Sequence, residues 1–148
     1  MNRSIRAGGC ACGAVRYQLN SLPFDAGYCH CSMCRRASGA PVLAFASVPL
    51  DDFVLTSGSP RRRRSSSDGE RWFCAECGTQ LAMRVDEQPD TIDFTLASLD
   101  SPDLVSPEFH IFHGNRIAWF ETADRFPRHR GFRAATPVAR ARKGPMTY

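Results

Sequence analysis

A chain of 148 residues is most simply one domain and is long enough to bury a hydrophobic core. No apolar run approaches the ~18 residues of a membrane span, and the N-terminal residues lack the apolar segment of a secretory signal. We therefore expect a cytoplasmic protein whose thiols stay reduced.

The net charge of +4 is unevenly distributed. Residues 127–148 carry six basic side chains and no acidic one, whereas residues 1–126 carry 13 basic and 15 acidic side chains. The body of the chain therefore lacks the positive charge of a nucleic-acid-binding domain, and we expect neither nucleic acid nor a membrane as a partner. We expect one domain over residues 1–132, followed by a basic, mobile tail over residues 133–148.

Short strands are predicted along most of the chain. Residues 15–19 alternate between apolar and polar side chains, as in a half-buried strand, and Asp68-Gly69 predicts a hairpin turn. Residues 41–46 are apolar on both faces, as in an interior strand, and Val48-Pro49 is expected to break it. Residues 35–41 predict a loop or a single helical turn, and no window favours an amphipathic helix of three turns. The sequence thus predicts a mainly β domain of seven or eight strands. The other predicted strands cover residues 53–56, 71–73, 81–85, 92–96, 109–112 and 117–120.

All seven cysteines fall into three clusters, which favours metal binding over disulfides in a reducing compartment. Zinc holds thiolates tetrahedrally at about 2.3 Å, so its ligands come from tight turns on segments that meet in space. Cys74 and Cys77 precede Gly78 and fit such a turn, and no βαβ pattern surrounds them, which argues against a redox dithiol. The clusters are Cys10 and Cys12, then Cys29, Cys31 and Cys34, then Cys74 and Cys77.

Spacing leaves the pairing of these clusters open. The first and last pairs together make a closed four-thiol site, but the last pair can equally close on two cysteines of the central cluster. Either way the seven cysteines divide into four and three, and three protein ligands with an open fourth position are typical of catalytic zinc. The alternative is one structural site plus three thiols that bind nothing.

Three cysteine motifs follow one another along the chain. They are Gly9-Cys10-x-Cys12-Gly13-x-Val15-Arg16-Tyr17, Cys29-His30-Cys31-x-x-Cys34-Arg35-Arg36 and Arg71-x-Phe73-Cys74-x-x-Cys77-Gly78-x-x-Leu81, with His110-Ile111, Ala118-Trp119 and Asp124-Arg125-Phe126-Pro127 after them. Together they resemble the glutathione-dependent formaldehyde-activating enzyme family. The resemblance implies the Mss4-like, or β-tent, fold of short antiparallel strands stapled by two zinc ions. The implied structural zinc lies on Cys10, Cys12, Cys74 and Cys77, and the catalytic zinc on Cys29, Cys31 and Cys34.

The resemblance further implies a carbon–sulfur lyase or synthase. An open site of three thiolates would take a thiol such as glutathione and present it to an aldehyde, giving S-(hydroxymethyl)glutathione from formaldehyde. Arg35 and Arg36 are candidates for binding the glutathione carboxylates. His30 is a candidate for moving a proton, although a structural role is favoured for it. His110 and His113 are expected to pack or to form hydrogen bonds rather than to bind metal.

A second function is also open, that of a non-catalytic, zinc-stabilised β module which binds a protein or nucleic-acid partner. Arg61–Arg64 and the basic tail would supply its contacts. Because the body of the chain is negative, a solvated strand or loop is the favoured interpretation of the four arginines.

Overall fold

The computed structural model describes residues 6–138, and this part of the chain contains ten strands and one α-helix. The expected mainly β fold of short strands is therefore confirmed. No helix in these residues has the length and apolarity that crossing a bilayer requires. The elements are β1 (Ala7–Gly9), β2 (Arg16–Leu19), β3 (Phe24–Cys29), α1 (Ser32–Ser38), β4 (Leu43–Pro49), β5 (Phe53–Ser57), β6 (Arg61–Arg64), β7 (Gly69–Phe73), β8 (Gln80–Val85), β9 (Thr91–Thr95) and β10 (His110–Ile111).

The strands form two sheets. Seven strands are hydrogen-bonded in the order β10-β3-β4-β9-β8-β7-β6, and three in the order β1-β2-β5. Neighbouring strands are antiparallel, apart from β10, which pairs parallel with β3. The hairpin β1–β2 belongs to the small sheet and the hairpin β7–β8 to the large one, so the loops of these hairpins can connect the two sheets.

The main hydrophobic core joins the two sheets. Tyr17 of β2 stacks on Phe53 of β5 with ring centroids 4.7 Å apart, and Phe53 packs edge to face on Trp72 of β7. The buried Tyr17 hydroxyl is hydrogen-bonded to Ser98 at 2.8 Å, so its polar end is satisfied. Burial of these aromatic rings removes a large apolar area from water and holds the small sheet against the large one.

Two strand predictions are wrong. The strand predicted to end before Val48 continues through Pro49, because Val48 is fully buried and pairs with Ile92 of β9, and the proline stands at the last position. No strand forms over residues 117–120, where the chain turns and Trp119 is 74% exposed. An apolar alternation predicts a strand only where a neighbouring sheet edge is available to pair with it.

Two elements near the central cysteines extend beyond the prediction. Strand β3 was not indicated by its sequence because Asp25 has a φ of 49° and the register shifts before Gly27, which interrupts the alternation of side chains. Helix α1 begins at Ser32 and makes two turns, whereas the sequence indicated at most one turn within residues 35–41. Together β3 and α1 carry the central cysteine cluster.

The C-terminal segment contacts the domain beyond the boundary expected at residue 132. Arg133 pairs with Asp25 at 3.2 Å, and its guanidinium lies 4.1 Å from the centre of the Phe109 ring. Thr136 donates to the Asp25 carboxylate through its N–H and its hydroxyl, each at 2.7 Å. Residues 133–136 are thus tied to the domain, and the rest of the expected tail from residue 139 lies outside the described residues.

Candidate metal centres and active site

Two hairpin loops bring four cysteines together. Cys10 and Cys12 lie between β1 and β2, and Cys74 and Cys77 lie between β7 and β8. The four Sγ atoms lie within 4.8 Å of one another, with 3.6 Å between Cys10 and Cys12 and 3.8 Å between Cys12 and Cys74. A tetrahedron with metal–sulfur bonds of about 2.3 Å has sulfur–sulfur edges of about 3.8 Å. The donors and their spacing therefore fit one zinc ion.

A glycine follows the second cysteine of each pair and allows the loop to turn. Gly13 has a φ of 82° and Gly78 a φ of 77°, left-handed values that other residues rarely adopt. A Cβ at either position would meet nothing within 4 Å, so the backbone conformation and not the available space requires glycine. The Gly13 N–H donates to the Cys10 carbonyl at 3.1 Å and the Gly78 N–H to the Cys74 carbonyl at 2.9 Å, which closes each turn around its thiols.

Thr79 joins the two loops, a role that no sequence pattern indicates. Its Oγ1 accepts a hydrogen bond from the Ala11 N–H at 3.1 Å and lies 3.2 Å from the Cys77 Sγ. Hydrogen bonds from the Thr79 side chain and backbone lower the pKa of Cys77 to about 5, which favours the thiolate that zinc binds. Because the two loops come from different sheets, a metal ion held by the four thiols would link one sheet to the other.

The central cysteines lie at the junction of β3 and α1. Cys29 is the last residue of β3, Cys31 is the N-cap of α1, and Cys34 lies within the helix. The Sγ atoms of Cys29 and Cys34 are buried and 3.5 Å apart, while Cys31 is half-buried. Within residues 6–138 the four-thiol group is the only set that gathers three or more possible ligand atoms within 4.8 Å of one another. The three central Sγ atoms are therefore spaced more widely than those of the four-thiol group.

Arg71 of β7 places a positive charge against the central thiols. Its side chain is buried, its Nη2 donates to the Cys34 Sγ at 3.5 Å, and its Nη1 has no hydrogen-bond partner among the described residues. A hydrogen bond from Cys29 outweighs the effect of burial and, together with Arg71, lowers the pKa of Cys34 to about 6. The contact joins residues 37 positions apart, which is why the sequence did not reveal it.

The two arginines that follow the central cluster have different environments. Arg35 is half-buried on α1 and Arg36 is exposed. Arg36 lines a cleft of about 560 Å³ together with Arg63 and Arg71, and Met33 forms part of the same wall. We call this space the arginine cleft. Arg36 is thus positioned to meet an anionic group there, and the arginine that contacts the central thiols is Arg71.

His30 is held in a buried chain of hydrogen bonds. Its Nε2 lies 2.8 Å from His110 Nδ1, and His110 Nε2 lies 3.0 Å from an Asp124 carboxylate oxygen. Because a carboxylate only accepts, His110 donates to Asp124 and accepts from His30. Burial lowers the pKa of His30 to about 4, so its ring is neutral at pH 7. His113 packs edge to face on His30, so all three histidines occupy packed positions.

A cavity of about 320 Å³ opens against all three central cysteines, and we call it the apolar cavity. Asp93 of β9 lies in its wall and accepts a hydrogen bond from the Ser47 hydroxyl at 2.6 Å. Burial raises the pKa of Asp93 to about 6. Arg71 also lies in the wall, so an ionisable group and a cation both border this space. The apolar walls are formed by Phe45, Met83, Val85, Ile111, Phe112 and Phe132.

Arg61–Arg64 forms β6 at one edge of the large sheet, with all four side chains exposed. Arg62 stacks over the Trp72 ring at 4.0 Å, and Arg64 pairs with Asp86 at 2.7 Å. These two charges are therefore already engaged by the domain itself. Charged side chains on an edge strand also discourage pairing with another chain.

Comparison with known proteins identifies the family. The sequence model described as "Glutathione-dependent formaldehyde-activating enzyme" matches residues 5–115. A protein of Halomonas elongata named "Putative glutathione-dependent formaldehyde-activating enzyme" is 29% identical over 128 residues, which cover 80% of this chain and 81% of that protein. An uncharacterized lyase of Schizosaccharomyces pombe is 32% identical over 74 residues, or 50% of this chain and 53% of that one. The crystal structure of a Rhodobacter sphaeroides protein matches with a TM-score of 0.55 and 29% identity, covering 68% of this chain and 96% of that chain. The chain therefore belongs to the glutathione-dependent formaldehyde-activating enzyme family.

Proposed function

We propose that this protein is a carbon–sulfur lyase that joins a thiol, glutathione, to an aldehyde at Cys29, Cys31 and Cys34. The observation that carries the proposal is that all three cysteines line one cavity large enough for a substrate. Family membership supports the glutathione and aldehyde chemistry, and the name of the S. pombe relative supports a lyase.

The three central cysteines would hold a zinc ion and leave its fourth position free, because zinc prefers four ligands. The 3.5 Å between Cys29 and Cys34 is close to an edge of the zinc tetrahedron and supports this assignment. When bound there, the metal lowers the pKa of an incoming thiol and fixes the position of its sulfur. The four-thiol group has no free position, and we assign it a structural zinc, which makes two zinc ions per chain.

We assign Arg71 and Asp93 to the reaction itself, as the groups that act on the sulfur and on the carbonyl oxygen. Together with the hydrogen bond from Cys29, Arg71 favours the thiolate form of Cys34, and it offsets part of the negative charge of three thiolates. When sulfur attacks the carbonyl carbon, the π electrons move to oxygen, and that oxygen takes a proton. Asp93, whose pKa of about 6 is close to the working pH, can hold and release this proton in the cavity wall. His30 keeps a positioning role, because its ring is bonded to His110.

The proposal is tested by measuring how fast the metal-loaded protein equilibrates glutathione and an aldehyde with their hemithioacetal, using NMR exchange. We expect the wild type to exceed the uncatalysed rate and Cys34→Ala to lose at least ~100-fold of that acceleration. Ser32→Ala is the matched control, since it lies on the same helix but outside the walls of the apolar cavity. Equal acceleration by Cys34→Ala and the wild type would contradict the proposal.

A further inference from the structure

The apolar cavity is much larger than formaldehyde. Its volume is about 320 Å³, whereas one water molecule takes up about 30 Å³ of the liquid and an apolar cavity of ~150 Å³ binds benzene. Formaldehyde has two heavy atoms and would leave most of the space unfilled. The cavity has room for a phenyl ring on a short linker or for a medium-length alkyl chain.

Most side chains that line this cavity are apolar and come from separate parts of the fold. Phe45, Met83 and Val85 belong to strands of the large sheet, and Phe112 and Phe132 belong to the C-terminal region. Water beside such side chains has few hydrogen-bond partners, so an apolar group that displaces it gains affinity. Each methylene that is buried on binding raises the affinity about fourfold.

The wall at Phe112 is held in an unusual backbone conformation. Its φ of 52° is rare for a bulky aromatic residue, and its ring packs edge to face on Phe132 with centroids 4.6 Å apart. Phe132 is followed by Arg133, which is fixed by Asp25 and by the Phe109 ring. Backbone strain maintained by its surroundings is found preferentially at ligand-binding and catalytic sites. We infer that Phe112 and Phe132 belong to a preorganised binding site.

Glutathione itself does not suit the apolar cavity. It carries two carboxylates and an ammonium group, and most of the cavity wall is apolar and offers these charges no partner, which makes their burial there unfavourable. The arginine cleft offers those partners in Arg36, Arg63 and Arg71. The cleft and the cavity share Met33 and Arg71 as walls, and Arg71 reaches the Cys34 sulfur. Two spaces therefore adjoin beside the central thiols, one with three arginines in its wall and one with a mainly apolar wall.

We propose that the aldehyde substrate carries an aryl or medium-length alkyl group, which fills the apolar cavity while the thiol's carboxylates bind in the arginine cleft. This inference rests on the function proposed above. In the reaction a sulfur–carbon bond forms and the carbonyl π bond breaks toward oxygen. That oxygen takes up one proton in exchange for the proton lost by the thiol, and nothing is oxidised or reduced.

The first test compares aldehydes by their rate acceleration, which corrects for the greater intrinsic reactivity of formaldehyde. With metal-loaded protein and glutathione, we expect phenylacetaldehyde and hexanal to be accelerated at least ~10-fold more than formaldehyde, because several methylene equivalents are buried. Val85→Trp fills the cavity and should remove this preference, because it lowers the acceleration of phenylacetaldehyde and hexanal more than that of formaldehyde. Val54→Trp, on the exposed face of β5, is the matched control and should retain the preference.

The second test needs no turnover. Calorimetry on the metal-loaded protein compares S-hexylglutathione with S-methylglutathione, which share the charged groups and differ in apolar length. We expect the hexyl thioether to bind at least ~10-fold more tightly, with this difference lost in Val85→Trp and kept in Val54→Trp. Arg63→Met should weaken both thioethers alike, since it changes the arginine cleft.

The outcomes separate the inference from the proposed function. Equal or greater acceleration of formaldehyde, together with equal binding of the two thioethers, would overturn the inference and leave the lyase activity standing. If no aldehyde is accelerated, the proposed function fails, and the inference fails with it. A size preference that Val85→Trp does not alter would overturn the assignment of the apolar cavity.

Discussion

At the scale of single residues, Arg71 and Asp93 determine the charge around the central cysteines. The guanidinium of Arg71 favours the Cys34 thiolate, while burial keeps Asp93 partly protonated near neutral pH. Neither the contact of Arg71 with Cys34 nor that of Asp93 with Ser47 was predictable from the sequence, because each joins segments far apart in the chain. The cysteines themselves were predictable, since local clustering is what a metal site requires of its ligands.

The effect of Arg71 on Cys34 is measurable in protein loaded with one equivalent of zinc, which the four-thiol group should take first. Arg71→Met should shift the pH midpoint of Cys34 alkylation upward by about one pH unit, because a nearby positive charge favours the thiolate. Alkylation at Cys34 is followed by mass spectrometry. Arg61→Met removes an exposed arginine of β6 and serves as the control. A midpoint unchanged by Arg71→Met would show that the guanidinium does not act on this thiol.

Asp93 should make the stability of the protein depend on pH. The pKa of Asp93 is raised to about 6 in the folded state from an ordinary value of 3.8, so the folded protein binds more protons between these values. Stability from this group is therefore full below pH 4 and falls as pH rises through 6. The unfolding free energy of Asp93→Asn, measured relative to that of the wild type, should therefore rise by about 1 kcal/mol from pH 5 to pH 7.5. This figure allows for the partial exposure of Asp93.

Urea denaturation at the two pH values measures this difference, with the exposed Asp90→Asn as the control. Asp93→Asn keeps an oxygen to accept the Ser47 hydrogen bond, so packing changes little. If the variant loses stability relative to the wild type as pH rises, the account of Asp93 is wrong. A variant that is more stable at neutral pH but slower in catalysis would fit a site residue whose burial has a folding cost.

At the scale of elements, the two cysteine-bearing hairpin loops are the features that the sequence describes best. Each loop contains two thiols and a glycine with positive φ, and these are local requirements that a short motif can express. No local motif indicates which two loops come together, and the spacing of the cysteines alone left this pairing open. Strand β3 escaped prediction because Asp25 and Gly27 interrupt its alternation, while residues 117–120 alternate without a partner strand.

Loss of one thiol should have different effects at the two cysteine groups. Cys74→Ala should lower the free energy of unfolding by at least ~4 kcal/mol and abolish zinc binding by the four-thiol group, because a metal bound there would join the two sheets. Cys34→Ala should cost only about 1 kcal/mol, since the central group joins no separate sheets. Thermal melting and zinc content measure both effects. Similar losses of stability in the two variants would contradict the division into a structural and a reactive group.

At the scale of the whole molecule, aromatic packing around Tyr17 holds the two sheets together along their faces, and the four-thiol group lies where a hairpin loop of each sheet meets the other. This leaves β3, α1 and the C-terminal segment to surround the central cysteines. The mainly β class was predictable from short alternating runs and turn residues. The apolar cavity was not, because its walls come from six strands, from helix α1 and from Phe112 and Phe132, which meet only in the folded chain.

Above all, we propose that a zinc ion held by Cys29, Cys31 and Cys34 binds the sulfur of an outside thiol. Selenium-edge X-ray absorption on the metal-loaded protein with the selenol analogue of glutathione tests it directly, because the signal comes only from the ligand. We predict a metal neighbour within about 2.5 Å of selenium, present in the wild type and absent in Cys34→Ala. Selenium with only carbon and protein neighbours in the wild type would contradict the account.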